Sequence, residues 1–158
     1  MHVKPISNAT LRDGGLFLLR VSLGGGLAAI HGRGKLVAAM AHVVSGQEWA
    51  FVKVVASIGF PAPVLFALLA ALTESGGGVL LAAGLATRFI ALAIAFNMSV
   101  AIYFHMQAGQ AAELAWAYLL AALTVALTGP GRYSVDHVLG ARVISLSAEA
   151  PAGETVEA

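Results

Sequence analysis

Apolar positions along this chain fall in long blocks, not in the strict alternation of strands or the narrow stripe of a soluble amphipathic helix. A membrane-crossing helix needs roughly 20 mostly apolar residues, about 30 Å at 1.5 Å per residue. The first block covers about 15–31, with Arg20 as its one Arg, Lys, Asp or Glu, and the second covers 63–87 with Glu74 inside it. Arg88 opens a third, 88–106, which carries Asn97, and the polar hairpin Gln107-Ala108-Gly109-Gln110 leads to a fourth over 113–128. Gly129-Pro130-Gly131 ends that helix, since proline cannot continue it and glycine suits a left-handed cap. The pattern predicts an all-α protein, a transmembrane four-helix bundle.

Residues 33–60 do not fit the pattern. Leu36, Met40, Val43 and Val44 repeat at helical spacing, but Lys35, His42, Glu48 and Lys53 interrupt them. The segment is too polar for a span and too long for a loop. It reads as an additional amphipathic helix, or helix pair, lying in the membrane interface between helices 1 and 2, with Trp49 and Phe51 as anchors. Residues 1–144 then form one domain, and the acidic, polar stretch 145–158 reads as a disordered tail. A secretory signal over residues 1–31 is disfavoured by Arg20 in the middle of its apolar region.

Composition agrees with a membrane protein. Of 158 residues 59% are apolar and only 11% charged, against about 25% charged in soluble domains. Mean hydropathy is +0.85. Nine Lys/Arg against eight Asp/Glu leave no basic patch for nucleic acid. Cysteine is absent, which removes disulfides, thiolate metal sites, iron–sulfur clusters and thiol catalysis, and no metal ligand set is assigned. An even number of spans puts Lys4, Arg12, Arg88, Arg132 and Arg142 on one side and Arg33, Lys35 and Lys53 on the other. The excess of positive charge places the termini in the cytoplasm.

Helices in lipid associate through small residues and polar contacts. Gly24-Gly25-Gly26 and Gly76-Gly77-Gly78 read as packing surfaces; neither sits in the strand–loop–helix context of a phosphate loop. Arg20, Gly24, Leu27, Ala28 and His31 share one helical stripe, Glu74 shares another with Gly77, Gly78 and Leu81, and Asn97, Ala101 and His105 form a third. Intramembrane ionisable groups are expensive and normally face protein or water, so these stripes are expected to converge. Arg20, Glu74 and Asn97 form the candidate ligand-binding or buried polar cluster; Arg20 and Glu74 are within reach of a direct or water-bridged pair. His31, Lys35, His105 and Glu113 form a second cluster toward the opposite face. The first cluster reads either as an ion pair fixing helix register or as the wall of a cavity that takes a quinone headgroup. For His31 and His105 the expected role is an interfacial hydrogen bond; haem ligation by the pair is disfavoured, because two histidines at similar depth are common.

With those residues placed, the chain resembles the DoxX family of small four-helix membrane proteins over about 19–139. The resemblance rests on Leu19-Arg20-x-x-Leu23-Gly24 leading to Gly32-x-x-Lys35-Leu36, and on Glu74-x-x-Gly77-Gly78-x-x-Leu81-x-x-Gly84-x-x-Thr87-Arg88. It continues through Met98 and Ala101 to Gly129-Pro130-Gly131-Arg132-Tyr133-Ser134-Val135-Asp136, where Val135 stands in place of the more usual leucine. Its charged motif positions are Arg20, Lys35, Glu74, Arg88, Arg132 and Asp136, and no catalytic role comes with any of them. The resemblance implies an accessory or quinone-associated subunit of a redox system in a bacterial-type plasma membrane. On that reading any enzyme activity belongs to a host oxidoreductase, quinone is the candidate cofactor, and lipid, a redox-complex subunit or a second copy of the chain are the partners. The alternatives are a non-enzymatic assembly or scaffold subunit and, with less support from four unbroken spans, a small transporter.

Overall fold

The computed structural model describes residues 7–140, which are helical with no strand among them. The expected polar tail at 145–158, and Lys4 and Arg142 of the charge comparison, lie outside the described residues. Six helices follow in order: α1 (Asn8–Ser45), α2 (Ala50–Ser57), α3 (Pro63–Ala83), α4 (Thr87–Gln107), α5 (Glu113–Thr128) and α6 (135–140). Three of them, α1, α3 and α4, are long and apolar enough to cross a membrane. At 16 residues α5 is shorter, about 24 Å at 1.5 Å per residue.

The ends are set by familiar chemistry. The Ser7 side chain accepts a hydrogen bond from the Thr10 amide at the start of α1, and Gly46 closes its far end with φ +65°. Proline opens α3, where its missing N–H costs nothing, and Gly84 at φ +75° ends it.

The first helix corrects the sequence reading. No break separates residues 15–31 from an interfacial segment at 33–60; α1 runs for 38 residues, passing through a π-helical stretch at Leu27–Gly32. No proline stops it, and beyond Gly32 it finds a partner: Ala39, buried, packs with Ala67 and Ala71 of α3. A helix persists where an apolar face is buried, whatever the polarity of its outer side. After the turn at Gly46, α2 folds back against α3. Trp49 and Phe51, expected as surface anchors, pack inward: Trp49 is 6% exposed and lies between His42 and Phe51. Glu48 and Lys53 pair on the outside, where both are exposed.

Glycine sets how closely α1 and α3 approach. A Cβ on Gly78 would lie 2.6 Å from the Gly24 carbonyl oxygen, and one on Gly32 2.6 Å from the Ser75 backbone. Gly25 and Gly76, in the same triplets, face open space, so only part of each triplet is a packing surface. A second π-helical stretch, Thr73–Gly77, interrupts α3 opposite the one in α1. Leu23 and Leu27 of α1, Leu81 of α3, Ile94 and Met98 of α4 and Val125 of α5 fill the core between them.

Candidate functional site

The Gly24–Gly78 and Gly32–Ser75 approaches fix the antiparallel register of α1 on α3, and with it the partner of every polar side chain between them. Arg20 falls beside the C-terminal end of α3. It is fully buried, and its Nη1 donates to the Leu81 and Ala82 carbonyls at 3.2 and 3.1 Å while Nη2 donates to the Tyr133 carbonyl at 2.6 Å. The guanidinium thus binds carbonyls of the last turn of α3, at the negative end of its dipole. Gly84 makes room for it: a Cβ there would collide with Nη1 and stand 2.6 Å from Ser134 Cβ.

Asp136 closes the same end of the bundle. Its two carboxylate oxygens accept from the Ala86 and Thr87 amides, each at 2.8 Å, so it caps α4 from a distant part of the chain. Burial opposes its charge, but the Thr87 and Ala86 donors and the nearby Arg20 outweigh that, holding its pKa below the ordinary aspartate value.

Glu74 does not pair with Arg20. It lies seven residues before Leu81, about 10 Å along the helix and beyond the arginine's reach once Arg20 is held by the end of α3. Its partner is Lys35, brought there because α1 continues past residue 31: Lys35 Nζ lies 2.5 Å from Glu74 Oε1, and Asn97 Nδ2 donates to the same oxygen at 3.0 Å. The Glu74 side chain is 4% exposed and that of Lys35 30%. Lys35 also lies over the Phe51 ring, 4.5 Å from its centroid, where the ring's negative face stabilises the ammonium. Glu74 Oε2 is buried with no hydrogen-bond partner. Nine residues separate Glu74 from Ala83 and eleven from Pro63, so this trio sits near the middle of α3.

Lys35 and Glu74 border two cavities, and Asn97 borders the larger of them. The larger, about 420 Å³, is a groove between α2, α3 and α4, walled mainly by apolar side chains including Phe51, Phe60, Phe66, Phe96 and Phe104. Leu69 and Phe96 of its lining are exposed, so it opens on the apolar flank of α3 and α4. Lys35, Glu74, Asn97 and His105 supply its polar end. The smaller, about 140 Å³, has His31, Tyr118, Lys35, Glu74 and His105 on its wall. His31 meets the Tyr118 ring edge to face, and His105 Nδ1 lies 3.1 Å from Gln110 Oε1. A large, mostly apolar pocket with a few convergent polar groups is the usual form of a small-molecule site.

The two expected clusters are therefore redistributed. Glu74 and Asn97 of the first join Lys35 of the second; Arg20 belongs to the Asp136 end of the bundle. His31 and His105 border the smaller cavity, and Glu113 is exposed and borders neither. The aromatic wall contributed by α2 is not legible in the sequence, where 33–60 reads as a surface layer. In the sequence Asp136 is a motif position without a role; its placement three residues after Tyr133 carries no local signal of a cap on a residue fifty positions earlier.

The family model described as DoxX matches residues 15–107, which hold Arg20, Lys35, Glu74 and Asn97 but not Asp136. No curated protein and no solved structure matches the chain significantly.

Proposed function

The chain belongs to the DoxX family of integral membrane proteins, and on that premise we propose that it is an accessory subunit of a membrane redox system that holds a quinone-type headgroup at the Lys35–Glu74–Asn97 end of the groove. One observation carries the reading: a 420 Å³ apolar groove that ends on a buried acid, a lysine and an amide. An isoprenoid-like tail fits its open, phenylalanine-lined flank, and the ring fits between the aromatic walls. Lys35 and Asn97 are hydrogen-bond donors suited to a quinone's carbonyl oxygens. The chain contributes no electron carrier of its own on this reading; the redox chemistry is that of the quinone and of a partner subunit.

The test is solvent extraction of the protein purified from native membranes, beside an Ala70→Trp variant that fills the groove. Stoichiometric quinone in the parent, lost in the variant, supports the reading. Quinone no higher than in a lipid-matched control, with a stoichiometric partner protein in both preparations, overturns it in favour of an assembly subunit. The proposal includes a plasma-membrane location with cytoplasmic termini. The absence of cysteine makes that easy to test: an impermeant maleimide should label Gln110→Cys in intact cells and leave His137→Cys unlabelled.

A further inference from the structure

The groove's polar end is not hydrogen-bonded symmetrically. Both donors that reach Glu74, Lys35 Nζ and Asn97 Nδ2, converge on Oε1. Oε2 is buried and accepts nothing. A carboxylate oxygen is an acceptor only, and leaving it unpartnered away from water carries a full desolvation penalty. What is missing is a donor. A quinone has two carbonyl acceptors and cannot supply one, whereas its reduced form carries phenolic hydroxyls.

We infer that the site prefers a hydroxyl-bearing aromatic head, the hydroquinone form over the quinone, with Glu74 Oε2 accepting the phenolic O–H. This rests on the groove reading above and adds which state of the ligand it prefers. Five of the chain's seven phenylalanines line the groove, which favours a planar ring over an aliphatic alcohol such as a lipid glycerol. Of the two cavities that Glu74 borders, only the 420 Å³ groove falls in the size range of small-molecule pockets. The 140 Å³ chamber holds on the order of four waters, at about 30 Å³ each. A water there is the competing donor for the same oxygen.

Three probes without redox chemistry separate these cases: 4-butylphenol, its methyl ether 4-butylanisole, and 4-butylcyclohexanol. Each is measured by equilibrium dialysis against the full-length protein in detergent, with Ala70→Trp giving the micelle background. A hydrogen bond to a charged acceptor predicts that the phenol binds at least about tenfold more tightly than the ether. Glu74→Gln should reduce that preference to within a factor of about three; should the variant not fold, the phenol–ether comparison on the parent decides alone. Equal binding of phenol and ether overturns the inference, assigns Oε2 to water, and leaves the groove reading standing. Binding of the cyclohexanol as tight as the phenol overturns the aromatic part. Binding of no probe above the Ala70→Trp background overturns both the inference and the groove reading.

Discussion

Removing Lys35 should cost far more than removing the charge it neutralises. In Lys35→Met the butyl stem is nearly reproduced, so packing beside Phe51 is kept while Glu74, 4% exposed, loses its counter-charge. Only the Asn97 amide still reaches the carboxylate. Breaking a buried pair this way costs about 3–5 kcal/mol, and the 30% exposure of Lys35 argues for the lower end. Glu74→Gln leaves the opposite orphan, but an ammonium on a flexible stem can turn toward water, so a cost of about 1–2 kcal/mol is expected. In Lys35→Met/Glu74→Gln no charge remains, and the double variant should be more stable than Lys35→Met alone by about 1–3 kcal/mol. The assay is reversible unfolding in mixed micelles, read as a double-mutant cycle. A Lys35→Met variant as stable as the parent, or a double variant that loses the sum of both single costs, would falsify the assignment of Lys35 as the partner of Glu74.

Arg20→Lys should be destabilising by about 1–3 kcal/mol in the same assay despite keeping its charge, because a single ammonium cannot reproduce a planar fork spread over the Leu81, Ala82 and Tyr133 carbonyls; a loss well under about 1 kcal/mol would contradict that geometry. Gly24→Val puts a Cβ 2.8 Å from the Ala82 amide nitrogen, forcing α1 from α3 at a cost of at least about 1–3 kcal/mol. Gly25→Val, facing open space, should cost less than half as much in the same unfolding series. Asp136, with its pKa held below the ordinary aspartate value, adds stability that is complete above that ordinary value and is lost as pH falls through the lower, folded-state one. The stability of the parent should therefore fall below about pH 4, and Asp136→Asn should flatten that part of the profile; an unchanged profile counts against the cap.

Much of the fold is visible in the sequence because apolar block length and helix stops are local. Proline at 63 and glycine at 84 mark the ends of α3 as directly as any contact does. The identity of the buried polar groups is equally local: Arg20 and Glu74 sit in apolar runs and had to face protein. Their partners were not visible, since pairing depends on the axial register of two helices, and Gly24 against Gly78 sets that register by backbone contact. An offset of seven residues separates the expected Arg20–Glu74 pair from the observed arrangement. The extension of α1 was hidden for a related reason. Residues 33–45 are mostly apolar but carry Arg33, Lys35 and His42 among them, and the Ala39–Ala67–Ala71 contact that keeps them helical and packed is not a local signal.

The π-helical stretch Leu27–Gly32 also acts on the first helix as an angular correction. In an unbroken α-helix one surplus residue turns everything after it by about 100° around the axis; a π-helical turn absorbs that residue. Leu16, Arg20, Leu23, Gly24 and Leu27 face inward before the end of the stretch, and Gly32 and Ala39 after it. Without the stretch those last two would point about 100° or more away from the first set; with it they share one face. The same correction turns Lys35 toward Glu74. A single-residue deletion within 27–32 that returns the turn to regular α-helix therefore leaves Lys35 aimed at Glu74, whereas an insertion or deletion in the regular helix swings it about 100° away. In this chain the ion pair depends on where a surplus residue is stored as much as on the residues themselves.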